Sequence, residues 1–65
     1  MRLAGFTRGG DAVVVEVTGP GTVTRTITTA TPTGDLVDRR SWQLPHGDRI
    51  GAVARAIFNL TANTY

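Results

Sequence analysis

Three clusters of glycine and proline interrupt the first half of this chain at short intervals. They occupy residues 8–11, with two central glycines, residues 19–21, which read Gly-Pro-Gly, and residues 31–35, where Pro32 precedes Gly34. Glycine tolerates the positive φ angles of tight hairpin turns, and proline fixes φ at the second residue of a turn. Because this spacing leaves no room for a crossover helix between strands, it predicts an antiparallel β-meander.

The segments between the turns have the pattern of β-strands, which we place at residues 3–8, 12–18, 22–30 and 39–44. Residues 12–18 contain four valines, and β-branched side chains pack well on a pleated surface. Residues 22–30 alternate, with threonines on one side. Arg25 lies on the other side and fits there only at the rim or beside a carboxylate. The predicted core face carries Val13, Val15, Val17, Val23 and Ile27.

The fourth strand is the least regular of the four. Leu36, Trp42 and Leu44 share a parity, but the charged residues 38–40 interrupt the pattern. We therefore expect a loop before residue 39 and Trp42 packed beneath the helix. The pattern leaves open which edge of the sheet this strand joins, and whether it is a strand at all or only an extended lead into the helix.

An amphipathic helix is predicted at residues 47–60. Its apolar positions recur at the spacing of one helix face, and Asp48 suits the helix N-terminus. The apolar positions are Ile50, Val53, Ala54, Ile57 and Phe58. The predicted fold class is α+β: a small three- to four-stranded antiparallel β-meander followed by one C-terminal α-helix packed on one sheet face.

The length of 65 residues allows one domain, residues 1–65. A chain this short buries only about 60% of its unfolded surface, and the absence of cysteine removes the disulfide as a staple. We therefore expect a compact core or burial against other subunits. No apolar run reaches the roughly 20 residues of a membrane span, and no secretory signal is recognisable. The expected location is the cytoplasm, or a virion assembled there.

Candidate catalytic groups are few. His46 is the single histidine and Ser41 the single serine, so one chain offers neither a multi-histidine metal site nor a nucleophile elbow. The five carboxylates form no convincing acid–base pair. We interpret His46 as a loop or cap residue. The sequence predicts a non-enzymatic protein with no catalytic, cofactor-binding or metal-binding residue and no implied small molecule.

Two surfaces are candidate interaction sites. The first is a threonine row on one face of the third strand, which fits either a solvated sheet face or a flat contact surface. It comprises Thr22, Thr24, Thr26 and Thr28. The second is the back of the helix, where small residues replace the paired charges of a solvated helix, although alanine also serves helix propensity. It comprises Gly51, Ala52, Arg55 and Ala56.

These features favour a structural or interaction protein that binds a protein partner or forms a homo-oligomer. The expected class is a small accessory subunit of a larger assembly, such as a capsid decoration or tail-associated protein of a phage virion. An inhibitor or regulator that docks on one protein through an exposed strand edge fits the same features.

A DNA-binding module is the alternative from a different class. The net charge is +2, and all seven basic residues are arginines, which suit bidentate contacts to phosphate. A three-stranded sheet followed by one helix is similar in element order to the AP2-type and integrase amino-terminal DNA-binding domains, whose sheet lies in the major groove. That similarity implies contacts to phosphates or guanine edges from the sheet and turn arginines. These are Arg8, Arg25, Arg39 and Arg40.

Overall fold

The computed structural model describes residues 1–45 and 49–65 and contains a four-stranded antiparallel sheet followed by one helix. The strands lie side by side in chain order, so each hairpin joins neighbours. The α+β meander predicted from the turns is confirmed. The elements are β1 (Arg2–Phe6), β2 (Ala12–Gly19), β3 (Thr22–Thr31), β4 (Gly34–Gln43) and α1 (Ile50–Thr64).

The fourth strand differs most from the prediction. It begins at Gly34 instead of residue 39, because Thr31 and Gly34 pair directly across a two-residue turn. The loop expected before residue 39 is therefore wrong. Both faces of β4 are largely exposed, so its residues show no apolar alternation from which its start could be recognised. β4 pairs with β3, which settles the open question of strand order.

The helix also differs from the predicted range, ending at Thr64 instead of residue 60. Contacts with the rest of the fold stabilise the polar last turn of the helix. Thr61 is buried, and backbone carbonyls at the C-terminus accept hydrogen bonds from the β1–β2 turn. There the Arg8 N–H donates to the Ala62 carbonyl at 3.1 Å and the Gly9 N–H to the Tyr65 carbonyl at 3.1 Å. The predicted start at residue 47, the Asp48 cap and the role of His46 lie outside the described residues.

The helix packs on what we call the inner face of the sheet. Phe58 lies directly over Gly5, where an added Cβ would come within 2.9 Å of the Phe58 Cζ. Val17, predicted for the core face, packs against the buried cluster and is itself half-buried. The buried apolar core comprises Val13, Val15, Val23, Ile27 and Ala54.

Strand β4 lies beyond the helix. Among the described residues, no Cα atom of α1 comes within 8 Å of a Cα atom of β4, whereas β1, β2 and β3 all approach it. Trp42 lies on the same sheet face as the helix, and its ring centroid is 5.6 Å from the Arg25 Cζ; its packing beneath the helix stays a prediction. A helix about 10–12 Å across spans two to three strands spaced about 4.8 Å apart, which leaves the fourth uncovered.

The molecule is elongated, with principal extents of 42 × 20 × 15 Å. Its radius of gyration is 12.2 Å, compared with about 10.7 Å expected for a compact domain of this length. Its accessible surface of 4436 Å² exceeds the roughly 4,000 Å² typical of a monomer of this mass. The β3–β4 hairpin contributes to this elongation. Its tip, where Thr31 pairs with Gly34, extends beyond Ala12, the first residue of β2, which pairs with Thr28.

Candidate functional site

No described element covers the side of the sheet opposite the helix, and we call this side the open face. Strand pairing arranges its side chains in three rows that each cross all four strands. The predicted threonine row supplies the β3 member of every one of them. The rows are Arg2–Glu16–Thr24–Ser41, Ala4–Val14–Thr26–Arg39 and Phe6–Ala12–Thr28–Val37.

Hydroxyl groups on the open face bond to one another across strands. The Thr24 hydroxyl lies 3.1 Å from that of Thr18 and 3.0 Å from that of Ser41. Arg39 Nε donates to the Thr26 hydroxyl at 3.4 Å. Thr22, at the end of the row, pairs with Gln43. Since these groups already have protein partners, covering them costs less than covering free hydroxyls.

One end of the open face is apolar. Phe6 is 72% exposed and Val37 is 58% exposed, and the pairing sets Ala12 and Thr28 between them. Sequence reasoning missed Phe6 and Val37. The alternation of β1 and β4, continued from the parity of the threonine row, could have placed both on this face.

The back of the helix is only partly as predicted. Ala52, Arg55 and Ala56 are exposed, whereas Gly51 is half-buried with its Cβ position 3.6 Å from the Met1 Cε. Leu60, which is 68% exposed, extends the small-residue line by one turn. Because α1 packs on the inner face, this surface and the threonine row lie on opposite sides of the molecule.

Arg25 is buried on the inner face, where it connects β4 with the end of the helix. Its Nη1 donates to the Thr61 hydroxyl at 3.5 Å, and its Nη2 lies 3.8 Å from the Asp38 carboxylate. Its Cζ is 5.6 Å from the ring centroid of Trp42 and 5.4 Å from that of Tyr65, within cation–π range. The residue is 8% exposed, and among the described residues its Nε has no hydrogen-bond partner.

The four arginines of the DNA-binding hypothesis do not share a surface. Arg39 lies on the open face and Arg40 on the inner face, because consecutive residues of a strand point to opposite sides. Arg25 is buried, and Arg8 lies in the β1–β2 turn. DNA binding stays a prediction, and this arrangement does not form the continuous basic face that such binding uses.

The described ranges, residues 1–45 and 49–65, contain no pocket and no group of three or more metal-ligating side chains. Within the same ranges, no helix combines the length and the apolar character that crossing a membrane requires. No protein-family model, curated protein or solved structure matches the chain.

Proposed function

We propose that this protein is a non-enzymatic subunit of a protein assembly, which it joins through the open face of its sheet. The observation that carries the proposal is that, in the described part of the chain, one side of a four-stranded sheet has no covering element and ends in two exposed apolar side chains, Phe6 and Val37. Large exposed apolar groups on a flat face are typical of protein-binding surfaces.

The composition of the open face supports protein contact. Its central row, from Ala4 to Arg39, has one charged member, and the cores of protein interfaces are depleted in charge. The paired hydroxyls of Thr24 and Ser41 lower the desolvation cost of covering the face. β-Branched side chains also lose little rotamer freedom when a partner covers them.

The small core supports the same proposal. Only five apolar residues are buried in the described structure, and the accessible surface is large for the mass. A partner that binds only the folded state adds stability through mass action, about 2.7 kcal/mol at a hundredfold excess over Kd. Assembly would thus stabilise a domain that lacks disulfides.

The test compares two exposed apolar residues on opposite sides of the molecule, Phe6 at 72% and Leu60 at 68%. A photo-crosslinking amino acid at position 26, on the open face, should yield one discrete protein adduct in the cells that make this protein. The same group at position 33, in the exposed β3–β4 turn, is the background control. Phe6→Lys should abolish the adduct, and Leu60→Lys should leave it unchanged.

Circular dichroism of both variants establishes that each still folds. Equal background labelling from positions 26 and 33 would contradict the proposal. Loss of the adduct with Leu60→Lys but not with Phe6→Lys would show that the partner binds the back of the helix instead of the open face.

A further inference from the structure

We infer that β4 is a self-pairing edge: two copies of this chain join antiparallel through β4 about a two-fold axis at Arg39, forming one eight-stranded sheet. The inference does not depend on the proposed function, because it uses the edge of the sheet and leaves the open face free. Three features of β4 carry it: its free backbone edge, its charge order and its apolar ends.

The backbone edge of β4 is long and accessible. β4 has 10 residues and, within residues 1–45 and 49–65, pairs only with β3, while β1, the other edge strand, has 5. The Leu44 N–H donates to the Gly21 carbonyl at 2.7 Å, so by alternation the even-numbered residues of β4 direct their backbone groups toward β3. The odd-numbered residues, from 35 to 43, direct theirs to the free edge.

Symmetry restricts how two such edges can pair. A two-fold axis perpendicular to the sheet keeps inner faces together, so residues of equal parity must oppose each other. In the register centred on Arg39, Asp38 opposes the partner's Arg40, and Leu36 opposes the partner's Trp42. Each of these contacts occurs twice. The inner face of the junction is then a row of two opposite-charge pairs flanked by two apolar pairs.

The spacing of an antiparallel ladder strengthens these particular contacts. Because odd residues carry the free backbone groups, the even-numbered pairs are non-hydrogen-bonded pairs. Their Cα atoms are about 4.5 Å apart, compared with about 5.5 Å in hydrogen-bonded pairs, so the side chains approach more closely. The complementary side chains therefore occupy the positions where cross-strand contact is closest.

Neighbouring registers lose this complementarity. Centring the pair on Asp38 sets that carboxylate against its own copy, and centring it on Arg40 does the same with two guanidinium groups. Centring it on Val37 opposes Asp38 to the partner's Leu36. Charges on an edge strand normally prevent pairing, but here one register converts two of them into complementary partners.

The unfavourable contact in the chosen register is Arg39 against the partner's Arg39 on the open face. This pair falls in the wider, hydrogen-bonded position. Arg39 Nε also donates to the Thr26 hydroxyl of β3 at 3.4 Å, which draws the guanidinium away from the free edge. The helix creates no obstacle, because α1 lies over β1 to β3 and does not approach β4.

The charge order supplies a test that specifies the register. Asp38→Arg and Arg40→Asp each create two like-charge pairs per dimer, so each variant alone should self-associate at least tenfold more weakly than the wild type. Mixed in equal amounts, they should form a heterodimer, because every 38–40 pair is then of opposite charge. Light scattering should give a mass twice the 6.9 kDa of one chain. Asp35→Arg is the matched control, since it changes the net charge as Asp38→Arg does but opposes the partner's Gln43.

A single cysteine gives a second measurement that leaves Asp38 and its contact with Arg25 intact. Arg39→Cys should form a disulfide-linked dimer on oxidation, because the two Cα atoms at the axis are about 5.5 Å apart, within disulfide range. Ser41→Cys should not, because its two copies lie about 14 Å apart in this register. A wild-type mass of 6.9 kDa up to the solubility limit, or equal crosslinking by both variants, would overturn the inference. Neither result would affect the adduct from position 26, so the two proposals fail independently.

Discussion

At the scale of single residues, Arg25 is the least expected part of this structure. Its guanidinium lies on the core face, because residue 25 shares the parity of Val23 and Ile27 in β3. Removing a guanidinium from water costs several kcal/mol. The ion pair with Asp38 returns little, because it is 3.8 Å long and the carboxylate side chain is 69% exposed. Contacts with the rings of Trp42 and Tyr65 offset part of this cost, about 0.5–2 kcal/mol each.

This balance predicts an unusual order of stability among variants at position 25. Arg25→Met retains the long apolar stem and removes the buried charge, so its unfolding free energy should lie within about 1 kcal/mol of the wild type. Arg25→Lys keeps the charge but substitutes a compact, strongly hydrated ammonium that stacks poorly on rings, and should lose about 1–3 kcal/mol. Urea denaturation at fixed protein concentration measures both. A lysine variant more stable than the methionine variant would show that the charge itself stabilises the fold.

The sequence marked Arg25 as a misfit that required a rim position or a carboxylate, and the structure places it beside Asp38. Its aromatic neighbours were beyond prediction, because Tyr65 is brought to it by a helix turn that sequence patterning ended at residue 60. Thr61 explains the difference. A threonine in an otherwise apolar stripe suggests a helix end, yet here it is buried against the Arg25 guanidinium.

At the scale of elements, three glycines near strand ends differ in the strain that an added side chain would meet. The two sources of strain are a positive φ and close contact with a neighbouring backbone atom. Among the described residues, no atom lies within 4 Å of a Cβ built on Gly19 or on Gly10. Gly19 has no positive φ, whereas Gly10 has a φ of +88°, so a side chain added at Gly10 meets the left-handed backbone penalty. Gly21 combines a φ of +72° with a Cβ position 2.7 Å from the Leu44 carbonyl oxygen. The Leu44 N–H also donates to the Gly21 carbonyl at 2.7 Å, which holds Leu44 against Gly21.

Alanine substitution should therefore give three graded results. Gly19→Ala should change the unfolding free energy by no more than about 0.5 kcal/mol, and Gly10→Ala should lower it by about 1–2 kcal/mol. Gly21→Ala should lower it by about 2–4 kcal/mol, because the backbone must also shift. Chemical denaturation in one buffer compares all three. Equal losses for Gly10→Ala and Gly21→Ala would mean that the contact at Leu44 relaxes without cost.

The elements also show where pattern reasoning is strong and where it fails. β2, β3 and the helix face were predictable, because each buries one side and so has a clear apolar period. Only half of β4 was predicted. Both of its faces are exposed, so its sequence requires no alternation of apolar and polar residues. The threonine row was predicted, but its apolar neighbours Phe6 and Val37 depend on strand register, which single-strand patterns do not contain.

At the scale of the whole molecule, the helix and the sheet leave two different surfaces for association. The open face lies opposite the helix, and the β4 edge lies beyond it. Pairing through β4 would join two open faces into one continuous surface, with both helices on the opposite side. The two contacts are therefore compatible, and the dimer would present twice the binding area to a larger assembly.

Self-pairing also predicts how stability depends on protein concentration. Because only folded chains pair, each tenfold rise in protein concentration above Kd stabilises the folded dimer by about 1.4 kcal/mol. Divided by an unfolding entropy near 2.1 cal/mol/K per residue, summed over both chains, this should raise Tm by about 5 °C. Calorimetry of wild type, Asp35→Arg and Asp38→Arg over such a series distinguishes the cases. The first two should shift in parallel, whereas Asp38→Arg should unfold at a constant temperature, because its like-charge pairs keep the chains apart. If the Tm of the wild type stays constant with concentration, the chain does not pair through β4, and the sheet has four strands.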